Sequence, residues 1–386
     1  MLRRYGLSHP LLDAYEKVAL ETYRDNWAAT DKVLAIACRA QLCEENVRLL
    51  SDFLSWADGD MKRFLWLYYY IQFESGEDFT YDIWSLDQIP MPREAETAYP
   101  GCVKAVVYLL SWENLDRWVR ERGLPEEVSE AYFDRYRYMV SLNLVTHNTW
   151  GLCRLSPFLY GYSKPFMLRL GRLAFQLIKF KDYCELYEDA QGNRLFVALP
   201  NYRYDAQGLQ AGDGWLPAYE KTGDVLAAHV FDSRGNLEPK PQKIDQLCWK
   251  RVLSPADDVV TIHIPEGGKL EPQAVKESIA LARDVFGKYF PQAKAFVCQT
   301  WFIDPNLRGE VIREGSNMAA FGDLFDVICG PDSQNHPVFE HIFKVRPQPL
   351  EDLVPVTGLQ ERVLRRALRG ERIFWGFGVL REDKLL

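Results

Sequence analysis

The stretch Val259-Val260-Thr261-Ile262-His263-Ile264-Pro265-Glu266-Gly267-Gly268-Lys269-Leu270 decides the fold of the second half of this chain. All of its first six residues except His263 are β-branched, the composition of a strand. A proline and two glycines then make a loop. Pro272 opens an amphipathic run to Tyr289, with Val275, Ile279, Ala282 and Phe286 on one side, and Ala295 to Ile303 returns to strand composition. Strand, glycine loop, helix, strand is a β-loop-α-β unit. Alternation puts Thr261 and His263 on one face of the strand and Val260, Ile262 and Ile264 on the other. His263 therefore ends its strand beside the glycine loop, at the place where α/β sheets form ligand sites.

A glycine-rich turn between strand and helix exposes backbone N–H groups at the positive end of the helix dipole, which suits a phosphate or pyrophosphate. The same pattern also serves as a plain turn. It is not a Walker loop, because GxxxxGK[ST] is missing, and not a Rossmann fingerprint, because GxGxxG is missing. An imidazole with an ordinary pKa of about 6.5 suits proton removal near neutrality, so His263 is a candidate general base; a core histidine that orients the loop is the competing reading.

Outward from this unit, residues 1–150 read as helical. Leu11, Leu12, Tyr15, Val18 and Ala19 trace one apolar face; Val33, Leu34, Ala37, Cys38 and Leu42 trace another. Gly123 followed by Pro125-Glu126-Glu127 is a helix end and an acid-rich helix start. After Gly161 the period changes to two. Met167 to Phe180 alternates with a phase shift at Gly171 and Arg172, predicting one bulged strand. Tyr183 to Glu188 and Arg194 to Leu199 flank a turn at Asp189-Ala190-Gln191-Gly192-Asn193, predicting a hairpin, and Asp232-Ser233-Arg234-Gly235-Asn236 repeats that turn. Asn201 to Gly223 reads as a surface loop. Ser316-Asn317 is read as capping a helix that continues through Phe325 and Val327; Val338 to Val345 is read as a strand, Thr357 to Arg369 as a basic helix and Phe374 to Leu380 as a last strand. The expected fold class is α+β, with a helical domain over 1–150 and a mixed α/β sheet domain over 151–386.

The 386 residues carry a net charge of −8, which argues against a nucleic-acid partner, since phosphate-backbone binding needs a concentrated basic surface. Phe64 to Phe73 is the most apolar stretch, about ten residues against the roughly 20 that span a bilayer, so no membrane partner is expected. The start of the chain lacks the apolar core of a signal peptide. Eight cysteines without a CxxC pair read as reduced thiols in a cytoplasmic protein. His336 and His341 are five apart across a proline, a spacing that does not set two ligands on one face of an α-helix, and no metal is expected. His147, Asn148 and Cys153 lie close in sequence, without the wider context of a cysteine hydrolase.

Trp150-Gly151-Leu152, Leu168 to Phe175, Ile262 to Leu270, Cys298-Gln299-Thr300-Trp301-Phe302-Ile303-Asp304-Pro305 and Ser316-Asn317 together resemble a bacterial family of acyltransferases that joins a helical N-terminal domain to a GNAT-like C-terminal domain. The resemblance implies acyl-CoA or CoA as co-substrate and transfer of the acyl group from a thioester to an amine acceptor by direct attack. It also implies a splayed strand next to a loop that binds the CoA pyrophosphate. The usual [QR]xxGx[GA] loop is replaced by Glu266, Gly267, Gly268 and Lys269, which become the candidate cofactor-binding residues. This replacement keeps open a second reading, a non-catalytic GNAT-shaped module that binds a ligand or protein.

Cys298, Trp301 and Asn317 are candidate substrate contacts on the stretches that carry the resemblance. Read as residues alone, they are a structural thiol, a packing residue and part of a helix cap. Arg362, Arg365, Arg366 and Arg369 either add positive charge for a phosphate or form a solvated helix face.

Overall fold

A computed structural model describes residues 1–79, 83–154, 157–266 and 268–385; Gly267, one of the candidate loop residues, lies outside them. The fold is α+β, with helices first and a mixed sheet after them. Two compact units divide at Met1–Arg169 and Leu170–Leu386, later than residue 150. The Pro157–Ser163 helix belongs with the helices before it, because Ser163 Oγ lies 2.6 Å from Ser111 Oγ and the Tyr160 hydroxyl accepts from the Phe79 N–H at 3.1 Å.

The helical unit is built round Cys102–Glu121, which is buried on every side from Cys102 to Trp112. A helix apolar all round belongs in the middle of a bundle. Its polar groups are met inside: the Tyr108 hydroxyl donates to Gln72 Oε1 at 2.7 Å, and Lys104 Nζ reaches Asp87 at 2.6 Å and the Cys153 carbonyl at 3.0 Å. Phe64 to Phe73 lies within the Gly59–Phe73 helix, started by Asp58, whose carboxylate accepts the Met61 N–H at 2.9 Å. No described helix is long and apolar enough to cross a membrane.

The second unit and the residues leading into it hold β1 (Met167–Leu170), β2 (Leu173–Lys179), β3 (Cys184–Glu188), β4 (Arg194–Ala198), β5 (Tyr219–Thr222) and β6 (Val225–Ala228). They continue with β7 (Gln242–Asp245), β8 (Lys250–Leu253), β9 (Asp258–His263), β10 (Phe296–Thr300), β11 (Phe325–Asp332) and β12 (Phe374–Leu380). Six strands form one sheet in the order β1-β2-β9-β10-β12-β11; β4-β3-β8 and β5-β6-β7 form two smaller sheets. In the large sheet only β9 and β10 run parallel among the register pairs described, and the Pro272–Tyr289 helix is their crossover. That helix packs Phe286 on Phe175 of β2 at 6.3 Å between ring centroids. Val259, Val297, Ile328, Phe377 and Val379 pack instead with Cys184, Leu186, Phe196 and Leu253 of the β4-β3-β8 sheet.

Several expectations are corrected. The phase shift at Gly171 and Arg172 marks a tight turn between two adjacent strands, β1 and β2, and not a bulge; Gly171 has φ 66°, and a Cβ there would meet Ser278 Oγ at 2.7 Å. Asn201 to Gly223 is more than a surface loop, since Tyr204 is 1% exposed within the core and the segment ends in β5. The helix capped by Ser316 stops at Gly322, and Phe325 and Val327 lie in β11, opposite Leu380 and Gly378 of β12. Val338 to Val345 is no strand: Val338–Phe343 is a turn of π-helix ended by Lys344 at φ 56°. The two Asp-x-x-Gly-Asn turns form as read, with Asp189 Oδ1 accepting the Gln191 and Asn193 N–H groups and Asp232 Oδ1 those of Arg234 and Asn236.

Candidate active site

The parallel ladder between β9 and β10 pairs Val260 with Phe296, Thr261 with Val297 and Ile262 with Cys298, and stops there. Each strand continues beyond its last rung, β9 to His263 and β10 to Thr300, while the other edge of β10 stays paired with β12 as far as Thr300 and Gly376. The two parallel strands thus part at their carboxyl ends, the position where open α/β sheets take ligands. β10 is shorter than expected, because Trp301–Ile303 turns into a 3-10 helix.

His263 sits at this opening, half-buried. Its Nε2 lies 2.9 Å from Gln176 Oε1 on β2, whose Ala174 is the register partner of His263. A neutral imidazole in this geometry donates from Nε2 to the amide oxygen, with Nδ1 unprotonated.

The glycine loop is held by a residue the sequence reading passed over. Arg172, in the turn between β1 and β2, donates from Nη1 to the Pro265 carbonyl at 2.9 Å, from Nη2 to Gly268 at 3.1 Å and from Nε to Lys269 at 3.1 Å. One planar guanidinium gathers three carbonyls of the loop, a task for which its fork of donors is shaped. Its own backbone N–H is fixed by Ser278 Oγ of the Pro272–Tyr289 helix at 2.7 Å, and that hydroxyl donates to the Ala274 carbonyl at 2.7 Å. The signal for Arg172 was its place after a glycine in a strand-connecting turn, inside a stretch already singled out.

Around the loop, Gly268 stands at φ 73° with its backbone exposed, and Lys269 is exposed. Glu266 pairs with Lys344 at 3.3 Å. Cys298 is corrected from substrate contact to core: it is fully enclosed, its thiol lies 3.4 Å from the Ile262 carbonyl at the last rung, and burial raises its pKa well above the ordinary thiol range. Trp301 is buried too, edge-on to Phe302 at 5.7 Å. Asn317 is half-buried in the first turn behind the true cap, Ser316, whose hydroxyl accepts the Ala319 N–H at 3.2 Å. The late arginines are engaged elsewhere: Arg365 with Glu361, Arg366 and Arg369 with Glu310 and Glu371, and Arg362 with the Val311 carbonyl at 2.9 Å. This pairing fits the solvated-face reading.

Five residues of spacing do not keep His336 and His341 apart. The chain turns from His336 into the π-helical segment, the two imidazole rings stand 5.9 Å apart between centroids, and one ring nitrogen of each histidine and a Glu340 carboxylate oxygen lie within 4.8 Å of one another.

A mixed sheet whose parallel pair parts beside a glycine loop, with a crossover helix behind it, defines a GNAT-like domain. The chain belongs to the family described as GNAT-like C-terminal domain, which matches residues 167–380. Solved structures agree in fold. An acyltransferase mutant in complex with octanoyl-CoA aligns at 18% identity over 91% of this chain and 88% of its own, with a TM-score of 0.57. An acyltransferase in complex with decanoyl-CoA and teicoplanin aligns at 19% identity over 90% of this chain and 87% of its own, also with a TM-score of 0.57. An acyltransferase with CoA and 10C-teicoplanin gives 19%, 90%, 87% and a TM-score of 0.56. No curated protein matches the sequence.

Proposed function

We propose that the protein transfers an acyl group from an acyl-CoA to an amine acceptor at the opening between β9 and β10. The observation that carries this reading is the end of the parallel ladder at Ile262 and Cys298, flanked by His263 and by a loop whose carbonyls are drawn together by Arg172. With those carbonyls turned to the guanidinium, loop amides at Gly268 and Lys269 are available to the CoA pyrophosphate. The solved structures of like fold that hold octanoyl-CoA, decanoyl-CoA and a teicoplanin acceptor support the same reading.

The amine nitrogen attacks the thioester carbonyl carbon, the C–S bond breaks, and CoA leaves as a thiol after taking a proton. His263 Nδ1 takes a proton from the acceptor's ammonium, directly or through one water, and so frees the amine lone pair for attack. A backbone N–H of β10 beyond the last rung polarises the carbonyl oxygen. Positioning of both substrates in one ternary complex supplies much of the rate. A cytoplasmic setting fits a CoA thioester, and all eight cysteines are free thiols.

The test combines thermal stabilisation by octanoyl- and decanoyl-CoA with thiol release in the presence of amine acceptors. A ligand at 100 times its dissociation constant adds about 2.7 kcal/mol. Stabilisation together with amine-dependent thiol release is expected. Stabilisation with no release for any amine favours the non-catalytic module, for which the Glu266 carboxylate in the loop is the supporting observation; release without acceptor identifies a hydrolase.

A further inference from the structure

We propose that His336, Glu340 and His341 form a binding site for one divalent transition-metal ion of the zinc type. His336 Nε2 and Glu340 Oε2 are 2.7 Å apart, and the three donor atoms lie within 4.8 Å of one another. Donors around a tetrahedral ion with bonds of about 2.0–2.1 Å are separated by roughly 3.3 Å. Closing the set thus needs small rotations of exposed side chains. Two imidazoles and one carboxylate are a donor set suited to zinc, and they leave a fourth position for water or another ligand.

The backbone brings these residues together at some cost. Gln334 at φ 51° and Asn335 at φ 61° are consecutive left-handed residues ahead of the π-turn, and Lys344 at φ 56° closes it. The segment is pinned at its start, where Asp332 Oδ1 accepts the Gln334 N–H at 2.8 Å and Ser333 Oγ donates to the Ile373 carbonyl. Trp375 of β12 stands beside both imidazoles, with ring centroids 6.1 Å from His336 and 5.9 Å from His341. Past the turn, Lys344 pairs with Glu266 of the glycine loop at 3.3 Å, so the site adjoins that loop.

The experiment uses the full chain stripped of metal and titrated with Co²⁺, read by its visible absorption, followed by displacement with Zn²⁺ in a calorimeter. One ion per chain with tetrahedral-type absorption is expected. A His336→Asn/His341→Asn double variant should weaken binding by tenfold or more with its circular dichroism unchanged, and Glu340→Gln should shift the Co²⁺ spectrum. Should the double variant misfold, the Glu340→Gln spectrum decides by itself. Absence of stoichiometric uptake by the wild type overturns the proposal. So do undiminished affinity in a folded double variant and an unaltered spectrum in Glu340→Gln, since each places the ion elsewhere.

Discussion

Replacing Arg172 by alanine removes three hydrogen bonds of 2.9–3.1 Å from a cation to the carbonyls of Pro265, Gly268 and Lys269. Hydrogen bonds to charged groups contribute about 1.5–3 kcal/mol each. The side chain is half-exposed, and discounting for solvent leaves about 1 kcal/mol apiece, or roughly 3 kcal/mol that orders the loop. At 1.4 kcal/mol per decade, full transmission of that term weakens acyl-CoA binding about 100-fold, and half of it about tenfold. The backbone of residue 172 keeps its bond to Ser278 Oγ, so the turn itself should survive. Arg172→Lys offers a point charge in place of the fork and should fall between wild type and alanine. Calorimetric titration with octanoyl-CoA measures the effect, beside circular dichroism to confirm folding. A folded Arg172→Ala protein with wild-type affinity would refute the assignment of this loop to the CoA pyrophosphate.

Further outcomes are expected. His263→Gln keeps hydrogen-bonding capacity without basicity, so kcat should fall about 100- to 10,000-fold with acyl-CoA affinity nearly unchanged; full turnover across pH 6 to 9 would make the histidine structural. Gly268→Val puts a β-branched side chain at φ 73° and should weaken acyl-CoA binding without global unfolding, which the same titration reads. Thr357→Ala removes a capping box in which Thr357 Oγ1 accepts the Gln360 N–H at 3.2 Å and Gln360 Oε1 accepts the Thr357 N–H at 3.0 Å, and should cost about 1 kcal/mol in denaturant unfolding. Glu310 is held below the usual carboxylate range by its hydrogen bond to Arg369 and then by Arg366. Its stabilisation is present above the ordinary glutamate pKa of about 4.3 and is lost as pH falls through the lowered folded value. Glu310→Gln should therefore destabilise at pH 7 and approach wild-type stability near pH 3, as followed by unfolding midpoints at each pH.

What the sequence showed and what it hid follow from the range of the interactions. The Pro272–Tyr289 helix, the hairpin around Asp189 and the strand Phe374–Leu380 are each set by local periodicity and turn chemistry, and they lie where those signals put them. Position 263 at a strand end beside a glycine loop came from the same logic. The grip of Arg172 on that loop was hidden, because it joins positions 93 to 97 residues apart and only the folded sheet brings them together. Val338 to Val345 misled for another reason. A short apolar run does not distinguish strand from helix, and a 3.6-residue repeat cannot foresee a turn that stacks residues five apart. For Cys298 the residue alone reads as a structural thiol, and packing encloses its side chain.

The most direct test of acyl transfer at the β9–β10 opening is a crystal structure of the full chain with decanoyl-CoA. The pyrophosphate is expected against the backbone of residues 264–270 and the thioester carbonyl between the ends of β9 and β10, within hydrogen-bond reach of His263 directly or through one water. A decanoyl-CoA bound with its pyrophosphate away from that loop and its thioester remote from His263 would contradict it.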